Sequence, residues 1–169
     1  MALPVSLDEA KRQLRVIGDD ENDTIADFIK DAAGWVEEYT GHLLEPREVR
    51  ERFSSFERLQ LRHWPISNET VIVTVSGTVL ADARLLSAVR PARLLPAADA
   101  AWPRLNGGDV VEVTYIAGYS TPADVPRNFV RAMLVLIGGY DADREGGEVF
   151  QAAEETAKRL CRTKKAWVA

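Results

Sequence analysis

The spacing of apolar residues changes along this chain, and that change limits the folds it can adopt. Near both ends, apolar side chains recur every three or four positions, which is the period of an amphipathic helix. In the middle the period falls to two, which is typical of strands with one buried face. Two helical segments at each end with strands between them predict an α+β fold with a helical core.

The second helix has the strongest pattern of the four. Its apolar residues form one stripe over residues 23–40, and Gly41 follows where a left-handed C-terminal cap is expected. Ahead of it, Ser6 and Glu9 have the spacing of a capping box, which predicts a short first helix that ends at Gly18.

The middle of the chain carries short runs of strand-forming residues separated by turn signals. A β-branched run covers residues 70–75, and an alternating run at 110–117 follows the turn-forming residues 106–109. Shorter candidates lie at 84–89 and 93–95. Together these runs predict a small, mainly antiparallel β region.

Helical spacing returns after the β region. Asp124 is predicted to cap a third helix, with Pro126 in its first turn. The glycine pair at 146–147 ends this segment, and a fourth helix is predicted over 148–162, with Cys161 on its apolar face. At 169 residues the chain has a length that one domain with an inserted region can account for.

The predicted domain organisation follows from this order of elements. Residues 1–45 and 120–169 form the helical core, and residues 46–119 form the inserted β region. We expect the two parts to make a single folding unit.

Composition argues against several classes of protein. The chain has 21 basic and 26 acidic side chains, a net charge of −5, whereas a nucleic-acid reader usually carries a basic surplus. Its single cysteine excludes a disulfide framework and a cysteine-rich zinc site. The longest apolar run, 132–137, is too short for a membrane span, and the N-terminus lacks the features of a signal peptide. We therefore expect a soluble, cytoplasmic protein without a cofactor.

Charge is distributed unevenly between the two ends of the chain. Residues 1–45 carry four basic and eleven acidic side chains, a net charge of −7, whereas the last twelve residues carry five cations and no acid. This basic end, closed by an aromatic residue, is typical of a docking segment for an acidic partner, although a plain helix end or a phosphate contact would also account for it. The candidate partner-binding residues are Lys158, Arg159, Arg162, Lys164, Lys165 and Trp167. An acidic end and a basic end also permit head-to-tail contacts between copies, which close into a ring when the rotation allows it.

Three carboxylate clusters raise the possibility of metal-dependent chemistry. The acidic run at 19–23 lacks the central glycine and the final bidentate glutamate of an EF-hand loop, so helix capping is the favoured interpretation. Glu37 and Glu38, and the group Asp141, Asp143 and Glu145, have no nearby nucleophile, and a solvated helix surface explains them better.

A cysteine nucleophile is the remaining catalytic possibility. Basic neighbours could lower the pKa of the Cys161 thiol, but a partner histidine could come only from His42 or His63. A small core residue is the favoured interpretation of Cys161, and loop or interface positions are expected for both histidines. The glycine pairs match no nucleotide-binding motif.

Two blocks of the sequence resemble the head–tail connector family of tailed phages. The first comprises residues 5–16, 19–21, 25–29 and 36–41, and the second comprises residues 111–119 and 124–126 with the apolar helix that follows. The blocks cover roughly half of the chain, on both sides of the β region. Related proteins also occur in prophages and in gene transfer agents.

The resemblance implies a structural adaptor without enzyme activity. Such proteins form a ring, usually of twelve copies, beneath the portal, join it to the stopper and tail proteins, and let DNA pass non-specifically through a central channel. Assembly would take place in the host cytoplasm, and the final location would be the neck of the particle. In relatives the C-terminal segment commonly reaches the portal, which would place the residues from Lys158 to Trp167 at that contact. The alternatives are a small metal-dependent hydrolase or nuclease that uses surface carboxylates, and a DNA-binding regulator.

Overall fold

A computed structural model of the chain describes residues 3–66, 71–80, 83–97 and 100–165. Within these residues, the α-helices are α1 (Leu7–Leu14), α2 (Asn22–Thr40), α3 (Arg127–Ala142) and α4 (Glu148–Cys161). The strands are β1 (Arg47–Phe53), β2 (Gln60–Leu61), β3 (Ile72–Val75), β4 (Thr78–Leu80), β5 (Arg84–Leu86), β6 (Ala92–Leu95) and β7 (Val111–Ala117). Two short 3-10 helices are Pro122–Asp124 and Arg162–Lys164. The predicted α+β class, with an antiparallel β region between pairs of helices, is confirmed.

The chain divides into two compact units. The helical unit comprises Met1–Glu45 and Tyr119–Lys165, and the β unit comprises Pro46–Gly118. No helix in the part of the chain that the structure describes is long and apolar enough to cross a membrane.

The core of the helical unit lies where α3 packs against α2 and α4. The apolar stripe predicted for α2 is buried, and α3 contributes the largest share of the core. The backbones of α3 and α4 approach closely at Gly139, where an added Cβ would lie 2.7 Å from the Cβ of Ala153. Gly139 lies inside α3, and because it has no side chain, α3 and α4 can pack closely at this point.

The first helix is shorter than predicted. Ser6 Oγ accepts a hydrogen bond from the N–H of Glu9 at 3.2 Å, as expected of a cap, but α1 ends at Leu14 and not at Gly18. The reason is Arg15, which adopts the left-handed conformation (φ 60°) and ends the helix three residues early.

The start of the third helix also differs from the prediction. Asp124 does not cap α3, because its carboxylate accepts a hydrogen bond from the N–H of Thr121 at 3.1 Å within the preceding 3-10 helix. Val125 is extended, as the residue before a proline usually is, so α3 begins only at Arg127 after Pro126.

The β unit contains two antiparallel sheets. The larger has the strand order β1-β7-β3-β4, and the smaller has the order β2-β6-β5. Val111, Val113 and Tyr115 of β7 share one buried face, as the alternating pattern predicts. Ser76 and Gly77 both have positive φ and form the predicted turn, which joins β3 to β4. Thr70, predicted as the first residue of β3, lies outside the described residues.

Candidate functional site

The candidate site is the C-terminal basic segment, defined here as residues 158–165. It comprises the last turn of α4, the 3-10 helix Arg162–Lys164 and Lys165. Helix α4 starts after a turn at Gly146, which has φ 77°, and the carboxylate of Asp143 accepts a hydrogen bond from the N–H of Phe150 at 3.4 Å. Hydrogen bonds from backbone N–H groups, that of Gly147 first, hold the pKa of Asp143 below its ordinary value. These contacts fix the start of the helix that carries the segment.

Helix α4 is fastened to α2 by one polar contact and by buried apolar contacts. Trp35 Nε1 of α2 donates a hydrogen bond to Glu154 Oε1 at 3.2 Å, and Ala157 and Cys161 are fully buried in the core of the helical unit. The hydrogen bonds from Lys158 and from Trp35 lower the pKa of Glu154. These contacts fix the position of α4 within the helical unit, and therefore the position of the basic segment at its C-terminal end.

The end of the segment is held by aromatic residues at the C-terminal end of α2. Lys165 Nζ lies 4.2 Å from the centroid of the Tyr39 ring, a cation–π distance, and Tyr39 stacks on Trp35. A cation at this position also complements the negative end of the α2 dipole.

Buried His42 ties the backbone of the segment to the helical unit. Its Nε2 lies 3.2 Å from the carbonyl oxygen of Lys164, and its Nδ1 lies 2.6 Å from the hydroxyl oxygen of Tyr119. A carbonyl can only accept, so Nε2 carries the hydrogen and Nδ1 accepts from the tyrosine hydroxyl. His42 is only 2% exposed and is therefore a core residue, where the sequence predicted a loop or interface position.

The predicted partner-binding residues differ in how far they are available to a partner. Lys158 pairs with Glu154 at 3.1 Å, and Arg159 lies 3.9 Å from Glu155. Arg162 and Lys164 are exposed and form no ion pair with any residue in the described ranges, whereas Lys165 packs against Tyr39. Trp167 lies outside the described residues. The side chains most accessible to an acidic partner are therefore Arg159, Arg162 and Lys164.

The carboxylates considered for metal chemistry have structural contacts of their own. Asp19 accepts hydrogen bonds from Lys11 Nζ at 2.9 Å and from the Asn22 amide at 3.1 Å, and Asp141 lies 3.8 Å from Arg144. Among residues 3–66, 71–80, 83–97 and 100–165, no three histidine, cysteine, aspartate or glutamate side chains form a group that could hold a metal ion.

Cys161 lacks the surroundings of a catalytic thiol. It is fully buried, and burial raises the pKa of its thiol to about 12, so the thiolate is not populated near neutral pH. Within the described part of the chain it makes no hydrogen bond to either histidine. The favoured prediction of a small core residue agrees with this position.

A half-buried polar cluster in the β unit was not predicted. Glu51 of β1 accepts hydrogen bonds from the hydroxyl of Tyr115, from the N–H of Arg62 at 3.0 Å and from His63 Nδ1 at 3.1 Å. Burial raises the pKa of Glu51, but the hydrogen bonds from His63, Tyr115 and Arg62 outweigh it and hold that pKa below its ordinary value. Burial, followed by the bond to Glu51, raises the pKa of Tyr115.

The strand pattern held a signal for this cluster. Val49, Glu51 and Phe53 alternate along the face of β1 that lies beside the buried face of β7. A glutamate on an inward face needs a hydrogen-bond partner, and Tyr115 on the neighbouring strand has a hydroxyl with the same need.

No protein-family model and no curated protein sequence matches this chain. Solved structures match it in fold. One is a chain from the neck of an empty gene transfer agent (GTA) particle computed with C6 symmetry, with a TM-score of 0.79 and 20% identity, over 100% of this chain and 94% of that chain. A chain from the virion of a native GTA particle gives a TM-score of 0.78, the same identity and the same coverage. A chain from the neck of a native GTA particle computed with C12 symmetry gives 0.68 at 20% identity, over 86% and 84% of the two chains.

The likeness shows a fold shared over the whole chain. It confirms, at the level of fold, the resemblance to head–tail connectors that the two sequence blocks indicated. The likeness in fold extends over the β unit, whereas the two sequence blocks include only residues 111–118 of that unit.

Proposed function

We propose that this chain is a structural, non-enzymatic component of the neck of a gene transfer agent or phage-like particle. The observation that carries the proposal is the whole-chain likeness to a GTA neck chain, with a TM-score of 0.79. The matched region includes both the helical unit and the β unit, so the likeness supports a role that involves the whole chain.

Within the neck, the proposed role is that of a ring-forming adaptor. The matched necks were computed with C6 and with C12 symmetry, and both symmetries arrange copies around one axis. A ring of twelve copies beneath the portal, joined to stopper and tail proteins on its other side, is compatible with both. Assembly is proposed to take place in the host cytoplasm.

DNA would pass through such a ring without being gripped. The net charge of −5 supports this part of the proposal, because counterion release drives tight binding only to surfaces with a basic surplus. A channel for a moving polymer functions best with weak, sequence-independent contacts.

The C-terminal basic segment is the proposed contact with the portal. Arg159, Arg162 and Lys164 are exposed on an element fastened to α2 through Trp35 and Tyr39. Because the backbone of this segment is already held, docking to an acidic surface orders only the exposed side chains and not the chain that carries them.

Native mass spectrometry tests the adaptor role. The protein is measured alone and mixed with the portal protein from its own genome. A closed multimer, or addition to the portal ring in a fixed ratio, is expected. A monomer that does not associate with the portal would contradict the proposal.

Substitution tests the portal contact better than truncation does. Deleting residues 156–169 would remove Ala157 and Cys161, which are fully buried, and would damage the core. The triple substitution Arg159→Ser, Arg162→Ser and Lys164→Ser removes three charges from exposed positions. The matched control removes three exposed cations elsewhere on the helical unit, Lys30, Arg127 and Arg131. Loss of portal binding in the first variant alone is expected, and equal loss in both would contradict a specific contact.

A further inference from the structure

The connection between α1 and α2 presents an apolar side chain to solvent. Ile17 is 99% exposed, the largest exposure among the large apolar residues of the described chain. The loop around it has a defined conformation, because Arg15 and Gly18 both have positive φ and Lys11 pairs with Asp19 at 2.9 Å. Single exposed apolar residues are common, but an apolar side chain that is exposed over almost its whole surface, in a loop of defined conformation, is well placed to insert into a partner.

Acidic side chains without ion pairs follow this residue along the chain, whereas the shallow depression that Ile17 borders on its other side is lined by Asp8 and by the cations Lys11, Arg12 and Arg15. We define the acidic loop as residues 17–23, which comprise the connection after α1 and the first two residues of α2. Asp20, Glu21 and Asp23 in it are exposed and form no ion pair with any residue that the structure describes. The loop therefore combines one apolar tip with three negative charges that lack a partner.

The β unit contains a groove with the opposite character. It has a volume of about 580 Å³, and its apolar walls include Leu59, Leu95 and the parallel rings of Phe56 and Trp102, whose centroids lie 4.7 Å apart. We call it the aromatic groove. Arg58 and Arg93 lie on its lining, are exposed, and form no ion pair within the described chain.

We propose that the acidic loop of one copy docks into the aromatic groove of a neighbouring copy. Ile17 fills the apolar part of the groove, and Asp20 and Glu21 face Arg58 and Arg93. The contact joins two different surfaces of identical chains, so its repetition builds a ring when the rotation between copies closes. The inference rests on the proposed ring-forming function and specifies the interface between its subunits.

A second copy fits the groove better than DNA does. Arg58 and Arg93 could contact phosphates, but a phosphate backbone would not fill the apolar walls of the groove. Glu57 on the lining is unfavourable to either occupant, so the apolar walls decide between them. The acidic loop supplies both an apolar tip and negative charge, which matches both features of the groove.

The first experiment removes the apolar tip. Because Ile17 is almost fully exposed, Ile17→Ser leaves the fold intact and tests only what binds there. We expect about a tenfold higher protein concentration for half-maximal ring assembly on the portal, measured by native mass spectrometry. Val149→Ser removes another exposed apolar side chain, on α4, and is the matched control, which should assemble as the wild type does.

Charge reversal with rescue tests the pairing. Arg58→Glu with Arg93→Glu should impair assembly, as should Asp20→Arg with Glu21→Arg. Combining all four reversals in one chain should restore it, because the charges become complementary again. All four positions are exposed, and circular dichroism verifies that each variant is folded.

Disulfide cross-linking identifies the partner surface directly. The double variant Ile17→Cys and Arg58→Cys should give covalent multimers on mild oxidation of the assembled ring. Cys161 needs no replacement, because its thiol is buried. Val149→Cys with Arg58→Cys is the control, which should assemble but form no covalent multimers.

The outcomes separate this inference from the function on which it rests. If the wild type forms no multimer and ignores the portal, the proposed function is overturned and the interface with it. If the wild type assembles but Ile17→Ser is unaffected and the reversals do not rescue, only the interface is overturned. A disulfide that forms within one chain also overturns the proposed interface. So does a second result: duplex DNA binds in a salt-sensitive way, and Arg58→Glu with Arg93→Glu abolishes this binding while assembly is unchanged.

Discussion

The helical unit and the β unit are stabilised in different ways. The helical unit surrounds an apolar core in which Phe129, Met133 and Ile137 of α3 are fully buried. The β unit has short strands, and a half-buried hydrogen-bond cluster around Glu51 links β1 to β7 and to the segment at residues 62–63. We therefore expect that removing a large core side chain lowers the stability of the helical unit most, whereas removing the Glu51 carboxylate lowers the stability of the β unit.

Removing a large core side chain from the helical unit should have the largest effect. Phe129 is fully buried, and His42 packs edge-on against its ring with the ring centroids 4.9 Å apart. Phe129→Ala should lower the free energy of unfolding by about 3–5 kcal/mol, because it leaves a cavity. Urea denaturation measures the change. A loss below about 1 kcal/mol would show that this core tolerates voids.

Breaking the polar cluster should have the next largest effect. Glu51→Ala leaves the hydroxyl of Tyr115 and the N–H of Arg62 without their acceptor, and should cost about 2–3 kcal/mol. Glu48→Ala, on the same strand but with its side chain 56% exposed, is the control and should change stability by less than about 0.5 kcal/mol. Equal effects in the two variants would contradict a special role for Glu51. Urea denaturation measures both.

The same cluster should make the β unit sensitive to acid. The pKa of Glu51 lies below its ordinary value of 4.5 in the folded chain, so its contribution to stability is complete above that value. The contribution is lost as pH falls through the lower, folded pKa. Hydrogen exchange with mass spectrometry should show that the β unit loses protection as pH falls below about 4.5, while Glu51→Gln is much less sensitive. Glu48→Gln should retain the dependence, and a flat profile in the wild type would contradict the prediction.

How much could be predicted from the sequence also differs between the two units. Helix α2 starts within one residue of the predicted position and ends as predicted, because its stripe and the Gly41 cap are local signals. Strand β2 has only two residues and forms because β6 pairs with it, a long-range contact that no local pattern encodes. The predicted single folding unit stays a prediction, which one shared urea transition for the two units would support.

The candidate site shows the same division between local and long-range information. The cations of the basic segment are visible in the sequence, and so is the helix that carries them. Their contacts are not, because Tyr39 and His42 lie more than a hundred residues away from Lys164 and Lys165. Long-range contacts of this kind decide which cations remain available to a partner.

The smallest effect is expected where the basic segment meets α2. Lys165→Gln keeps most of the side-chain length but removes the charge that lies over the Tyr39 ring, and should weaken local attachment by about 0.5 kcal/mol. Lys164→Gln is the matched control, because its exposed side chain is not the group that His42 contacts, and its backbone carbonyl is retained. Hydrogen exchange of residues 162–165 should increase about twofold in Lys165→Gln and remain unchanged in Lys164→Gln. Equal exchange in both variants would show that the His42 bond and the buried face of α4 hold the segment without help from the cation. The portal contact would then depend on the exposed charges alone.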